Sequence, residues 1–313
     1  MNLRRLKRLY QYGLSFGMSQ AIVLLSYKKY KWLYYKALIW KKKSVFNYIE
    51  KKFRFILYKY QYYNIENNNI DKNYTIWIYW AQGESNMPPL VKACYNSVKY
   101  HFSNQNVVLL TDNNISEYIN IPYHIQDKKN NNIISIQHYS DYLRIALLKE
   151  HGGLWLDATV YVTKWFDITN TSFFSISCND LIYVPNEGKW NIFIMGANKN
   201  NILFTILKEL IENYWSCNDD IIDYFFTDYC INYIYNKYDY VRSMIDSQYK
   251  KNDYYDVHSL LNIRNQDFDL NVFNKILECV YVHKLQYKDI LLKNIQSGNI
   301  TYIGHIIESD TQI

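Results

Sequence analysis

The stretch SDYLRIALLKEHGGLWLDAT, residues 140–159, changes its period halfway along. Through Glu150 its apolar residues recur at three- and four-residue intervals, which marks a helix with one buried stripe. Gly152-Gly153 then ends the helix, because glycine accepts the left-handed backbone of a helix cap. From Leu154 the pattern alternates: LWLDATVYVT (154–163) is expected to form a strand or a strand pair. Leu154 and Leu156 then face the core, and Trp155, Asp157 and Thr159 face the other way. In the helix, Asp141 and Arg144 lie three apart on one face, so they either pair with each other or present a carboxylate and a guanidinium to one ligand. Open α/β sheets hold ligands where a buried strand ends, and here that end carries an acid.

Working outward, TIWIYW (75–80) is a β-branched and aromatic strand that stops at a turn-like AQGESNMPP. Pro88 and Pro89 open a helix, and NVVLLT (106–111) follows as a second strand. Strand, helix and strand in under forty residues make one βαβ unit, so a parallel, doubly wound sheet is predicted here. Downstream, a strand near 190–197, a helix over 201–215 and a Tyr-rich helical stretch over 221–235 complete the body. The tyrosines there read as packing in preference to an acceptor groove.

Composition bounds the function. Of 313 residues 49% are apolar and 20% charged, with nine Gly and four Pro, which excludes disorder and linker-dominated architectures. Residues 1–60 hold 15 Lys/Arg against a single acid, Glu50, so this arm carries +14; with a net charge of +6, the rest carries −8. Aromatic side chains (Trp32, Tyr34, Tyr35, Trp40, Phe53 and Phe55) are interleaved with the lysines. Three readings of the arm stay open: a helix lying on an anionic membrane surface, a basic helical hairpin packed on the body and, least favoured, a nucleic-acid-binding arm. An acidic body is not a nucleic-acid binder. Residues 61–73 read as a linker and 74–313 as the main domain. Residues 11–27 lack charge but are too short and polar for a comfortable span. Five scattered Cys without C-x-x-C spacing fit a reducing cytoplasm. The expected location is the cytoplasm, peripheral on the inner face of the membrane.

No G-x-S-x-G elbow, Walker loop, H-E-x-x-H or G-x-G-x-x-G occurs, so hydrolase, NTPase, zincin and dinucleotide readings lack support. His101, His124, His138, His151 and His258 show no metal-ligand spacing and read as surface or capping residues.

Taken in order, these motifs resemble a family. Trp77, Trp80-Ala81-Gln82-Gly83, the Pro-Pro helix, S-D-x-x-R, G-G-L-W-L-D-A-T, Trp190-Asn191, Ile222-Asp223-Tyr224-Phe225 and His283-Lys284-Leu285 together look like the capsular-polysaccharide-synthesis branch of the DXD-type sugar transferases. That branch is related to family 32 mannosyl- and galactosyltransferases and, more remotely, to glucosylating bacterial toxins. The resemblance covers about residues 74–290. It implies a GT-A fold, a Rossmann-like nucleotide-binding sheet with helical acceptor-side additions. The implied reaction moves a sugar from a nucleoside diphosphate to a glycan or lipid-linked acceptor, with retention by analogy and Mn²⁺ or Mg²⁺ holding the diphosphate.

By the same resemblance Trp77 lies against the base, and Asp141 and Arg144 bind donor hydroxyls or phosphate. Asp157 faces the metal and diphosphate, with His283 and Thr159 as further metal ligands and Lys284 as counter-charge. Gln82, Gly83, Ser140, Trp155 and Asn191 are further substrate-binding positions. The superfamily has Asp-x-Asp where this chain has Asp157-Ala158-Thr159, and a neutral hydroxyl is a poorer ligand for a hard cation. The rival readings are an inactive sugar-nucleotide-binding scaffold at the membrane and a protein-modifying transferase.

Overall fold

A computed structural model describes residues 31–63, 68–177, 185–248, 256–288 and 298–310. Strands β1 (Thr75–Tyr79), β2 (Asn106–Leu110), β3 (Gly153–Leu156), β5 (Phe173–Ser175) and β6 (Ile194–Ala197) form one sheet in the order β2-β1-β3-β6-β5. Strands β4 (Val160–Val162) and β7 (Val282–Lys284) form a separate antiparallel ribbon. The helices are α1 (Lys31–Lys59), α2 (Pro89–His101), α3 (Tyr123–Asn130), α4 (Ile136–Glu150), α5 (Ile202–Cys217), α6 (Phe226–Lys237), α7 (Asp239–Asp246), α8 (Ser259–Ile263), α9 (Leu270–Cys279) and α10 (Tyr302–Asp310).

The β1–α2–β2 unit is parallel, and β3 joins β1 from the other side, also parallel. β6 then runs antiparallel to β3, and β5 antiparallel to β6. The result is a mixed α/β fold with a parallel-containing central sheet, consistent with a Rossmann-like architecture. Because β2 and β3 flank β1 on opposite sides, the strand order reverses at β1. Open α/β sheets form their ligand crevice outside the carboxyl ends of the strands at such a reversal.

Both faces of the sheet are covered. Trp77, Tyr79, Trp155, Met195 and Ala197 join the core beneath α1, α4, α5 and α6. Ile76, Ile78, Leu154, Leu156 and Ile194 join a second core with Tyr95 and Val98 of α2. The alternation expected along 154–157 is therefore real, but Trp155 faces a second hydrophobic layer and is only 1% exposed. Of the two forms expected for 154–163, strand or strand pair, the structure has two strands broken by a turn, closed by Val160 N–H donating to Asp157 O at 2.9 Å. That turn, and not strand alternation, brings Thr159 to the side of Asp157.

Gly153 has φ +98°, and a Cβ there would lie 2.2 Å from the Thr75 carbonyl oxygen. A side chain would push β3 off β1, so glycine is required for the chain to enter the sheet directly after α4.

Helix α1 is kinked at Phe53, whose φ of −118° and ψ of 19° are not helical. The kink lets both halves keep an apolar stripe on the body. Val45, Ile49, Phe53, Ile56, Leu57 and Tyr60 are buried at helical spacing within the main core. Tyr60 Oη donates to Glu209 Oε2 at 2.7 Å and Tyr240 Oη to the Tyr60 carbonyl at 2.8 Å. Lys41 pairs with Asp223 and Lys42 with Glu187. The described half of the basic arm is thus packed on the body. Its outer face exposes Ile39, Trp40, Phe55 and Tyr58 together with Lys43, Lys51, Lys52 and Arg54. Among the described residues no helix is long and apolar enough to cross a membrane. Residues 11–27 lie outside the described residues.

Candidate active site at the carboxyl ends of β1 and β3

A cavity of about 750 Å³ opens at the strand-order reversal. Trp80, Ala81 and Gln82 line it after β1; Asp157, Ala158 and Thr159 line it after β3. The first turns of α4 supply Ile136, Gln137, His138, Ser140, Asp141 and Arg144. Ser135 caps that helix by accepting from His138 N–H at 3.3 Å, which fixes where the helix begins and aims those turns at the cavity. Opposite stand Asn191 to Phe193, then Tyr224, Phe225 and Asp228, and a C-terminal wall of His258, Lys284, Leu285, Tyr287 and Lys288. The volume lies within the range of ordinary small-molecule sites.

Asp157 is the hub. Its Oδ1 accepts from Arg144 Nη2 at 2.8 Å and from Trp155 Nε1 at 2.9 Å. Its Oδ2 accepts from Lys284 Nζ at 2.7 Å, and the same ammonium donates to Thr159 Oγ1 at 2.8 Å. Burial pushes the Asp157 carboxyl up, but Lys284 and Arg144 outweigh it and hold the group well below the usual carboxylate range. Arg144 is 2% exposed, lies over the Trp155 ring at 5.1 Å, and gives its Nη1 to Asp141 Oδ1 at 2.6 Å. Burial leaves Asp141 raised despite Arg144. Asp141 and Arg144 do pair, as the spacing allows, but the guanidinium is shared with Asp157 across 13 residues of chain.

Asp228 was not visible in the sequence. It is 5% exposed, lines the cavity, and accepts from Trp190 Nε1 at 2.9 Å. Burial raises its carboxyl to about 7; the indole N–H opposes the rise and Asp141 adds to it. His258, read as a surface or capping residue, is exposed at the N-cap position of α8 and also lines the cavity; desolvation lowers its imidazole.

The structure brings Asp157, Asp141, Arg144, Gln82, Ser140, Trp155, Asn191, Lys284 and Thr159 to one cavity. Three other residues lie elsewhere. Trp77, expected against a base, is 3% exposed within the sheet core, and its Nε1 donates to the Gly152 carbonyl at 2.9 Å. Gly83 precedes a short 3₁₀ turn outside the cavity lining. His283, expected as a metal ligand, is fully buried next to Lys284 in β7, where strand alternation turns it away from Asp157. Burial lowers its imidazole to about 4, and the Val280 backbone opposes that only partly.

A model of the family described as capsular polysaccharide synthesis protein matches residues 29–306, almost the whole chain. The chain belongs to that family. Among curated proteins no match is found. Family membership gives the cavity its context, the synthesis of capsular polysaccharide, and the match starts at residue 29, so it includes helix α1 as well as the sheet.

The residues read as metal ligands do not fit one ion in this capsule-synthesis protein. Asp157 Oδ2 and Thr159 Oγ1 are spanned by an ammonium, and His283 is on the far side of its strand. A divalent ion between Asp157 and Thr159 would sit beside Lys284 at strongly repulsive range. Among the described residues no three His, Cys, Asp or Glu side chains converge as a metal site.

Proposed function

We propose that this capsule-synthesis protein is a glycosyltransferase, moving a sugar from a nucleoside-diphosphate donor to a glycan or lipid-linked glycan hydroxyl. One observation carries the reading: a charge-balanced cluster of Asp141, Arg144, Asp157 and Lys284 in a nucleotide-sugar-sized cavity at the strand-order reversal. In transfer the bond from the anomeric carbon to the diphosphate breaks, and the departing oxygen takes the electron pair. Lys284 is the cation placed to meet that charge, because two of its three donors fix it to Asp157 and Thr159 and the third remains for the ligand. Arg144 is a positioning residue here: it is 2% exposed and bridges Asp141 and Asp157, so it acts on the ligand through those carboxylates. Asp228, held at about 7, is poised to accept the proton of the acceptor hydroxyl.

The exposed aromatic and basic side chains of α1 support peripheral attachment to an anionic leaflet on the cytoplasmic side. Attachment would raise the local concentration of a lipid-linked acceptor. The test is a panel of nucleotide sugars assayed for donor hydrolysis and for transfer, with the Asp157→Asn variant in parallel. Hydrolysis of one donor by the wild type and not by the variant is the expected result. Donor binding without turnover under any condition would instead identify a scaffold.

A further inference from the structure

The pair Asp157 and Thr159 stands where the resemblance implies a metal site, yet the side chain between them is a lysine. Lys284 Nζ lies 2.7 Å from Asp157 Oδ2 and 2.8 Å from Thr159 Oγ1, with the Phe193 ring 5.3 Å away. Its backbone is held on both sides. Lys284 N–H donates to Val257 O at 2.7 Å, Leu285 N–H donates to Thr159 O at 2.9 Å, and Lys284 is the register partner of Val160. The ammonium is therefore placed by a β-ribbon and not by the chance rotamer of a surface side chain. The same ribbon turns His283 to the other face, so the histidine is unable to share an ion with Asp157. Thr159 completes the arrangement: its hydroxyl oxygen accepts from an ammonium, whereas a second carboxylate there would favour a divalent ion. One wall further on, Lys288 also lines the cavity and is exposed.

We infer that Lys284 takes the place of the divalent cation, so that this protein binds and releases a nucleoside diphosphate without a metal. The inference rests on the glycosyltransferase reading and deepens it. In chemical terms, the anomeric carbon–oxygen bond to the diphosphate breaks and the pair stays on the diphosphate oxygen. The acceptor oxygen bonds to the anomeric carbon, and its proton leaves to a base or to the departing diphosphate. Lys284 contributes one charge-assisted N–H to a diphosphate oxygen, with Lys288 adding a second cation at longer range. Asp157 is then the counter-ion that orients the lysine, which explains why both its oxygens are already occupied by the protein.

The experiment is calorimetric titration of the full chain with UDP, GDP, CDP and ADP. Each is run in excess chelator and in excess Mn²⁺ or Mg²⁺, with Lys284→Ala and Lys284→Met alongside. At least one nucleotide is expected to bind wild-type protein with the same Kd in chelator and in metal. Losing one charge-assisted hydrogen bond should weaken that binding by about one to two decades in both variants. Two variants with different side-chain volumes separate the lost charge from a packing fault, and the wild-type comparison needs no variant at all. Wild-type binding that requires a metal overturns this inference and leaves the glycosyltransferase reading standing. Metal-independent binding that survives loss of Lys284 overturns it too. Absence of binding by any nucleotide in either condition overturns the glycosyltransferase reading and this inference together.

Discussion

Asp157 and Asp228 are the same side chain in two walls of one cavity, and their surroundings drive them opposite ways. On the sheet wall, Asp157 has a guanidinium and an ammonium within 2.8 Å and is held ionised. On the helical wall, Asp228 has one neutral indole donor and is raised to about 7. Burial opposes ionisation in both, so what separates them is whether a cation shares the burial. Under the proposed function this difference would divide labour within the site, with Asp157 as the charged anchor and Asp228 as the proton acceptor.

The comparison breaks most visibly at Asp157. Asp157→Asn leaves two cations facing a neutral amide, one of them on a nearly fully buried Arg144, and breaking a buried pair typically costs about 3–5 kcal/mol. Urea unfolding should show that loss, and donor hydrolysis should vanish. A variant with native stability would mean that Arg144 and Lys284 are solvated well enough to do without the carboxylate.

Asp228→Asn should act the other way and depend on pH. The unfolded carboxyl releases its proton from about 3.8 upward, whereas the folded one holds it until about 7. Wild-type stability contributed by this group is therefore lost as pH rises from about 4 to about 7, and the loss stays constant above that. The neutral amide escapes this loss, so the variant should gain on the wild type across that window, on the order of 4 kcal/mol by pH 8. Parallel melting curves from pH 4 to 8 check it; a constant offset would show that Asp228 ionises normally.

Arg144→Lys sharpens the sheet-wall side. An ammonium cannot bridge Asp141 and Asp157 with a planar fork, and loss of one charged hydrogen bond is worth about 1.5–3 kcal/mol. Turnover should fall by about one to two decades with the bound Kd for nucleoside diphosphate moving less, because Arg144 acts through Asp157. An equal fall in nucleotide affinity would put the guanidinium on the ligand.

The smallest effect is expected from Trp190→Phe. Removing the indole N–H withdraws the one hydrogen bond that favours Asp228's charged form, so the pH–rate profile of hydrolysis should move to higher pH by about one unit. A shift to lower pH would show that the lost indole volume admits water to the carboxylate.

Much of the frame was legible before the structure. The change of period at Gly152-Gly153 located α4 and β3, and the Pro-Pro start located α2, because local spacing carries that information directly. Strand β4 falls within the stretch 154–163 read as a strand or strand pair, but β7 and its pairing with β4 were not legible, since that pairing joins residues more than a hundred positions apart. That pairing is what sets Lys284 on Asp157, so a site residue was named while its partner stayed hidden. Trp77 was misplaced for a related reason: a strand-end aromatic looks alike whether it caps the sheet or packs inside it. Asp228 sat in a Tyr-rich run whose local pattern says only helix, and the indole that meets it is 38 residues earlier.

The ion pairs of Lys41 with Asp223 and of Lys42 with Glu187 set a distance. Asp223 precedes Tyr224 and Phe225 of the cavity wall, and Glu187 lies between Asn186 and Gly188 of the opposite rim. The backbone from Lys31 to Lys41 is one continuous helix, and at 1.5 Å per residue it measures about 15 Å. Whatever fastens the chain at Lys31 is therefore a rigid ruler's length from the mouth, and the reach of the site from that point is set by helix pitch instead of by the statistics of a floppy tether.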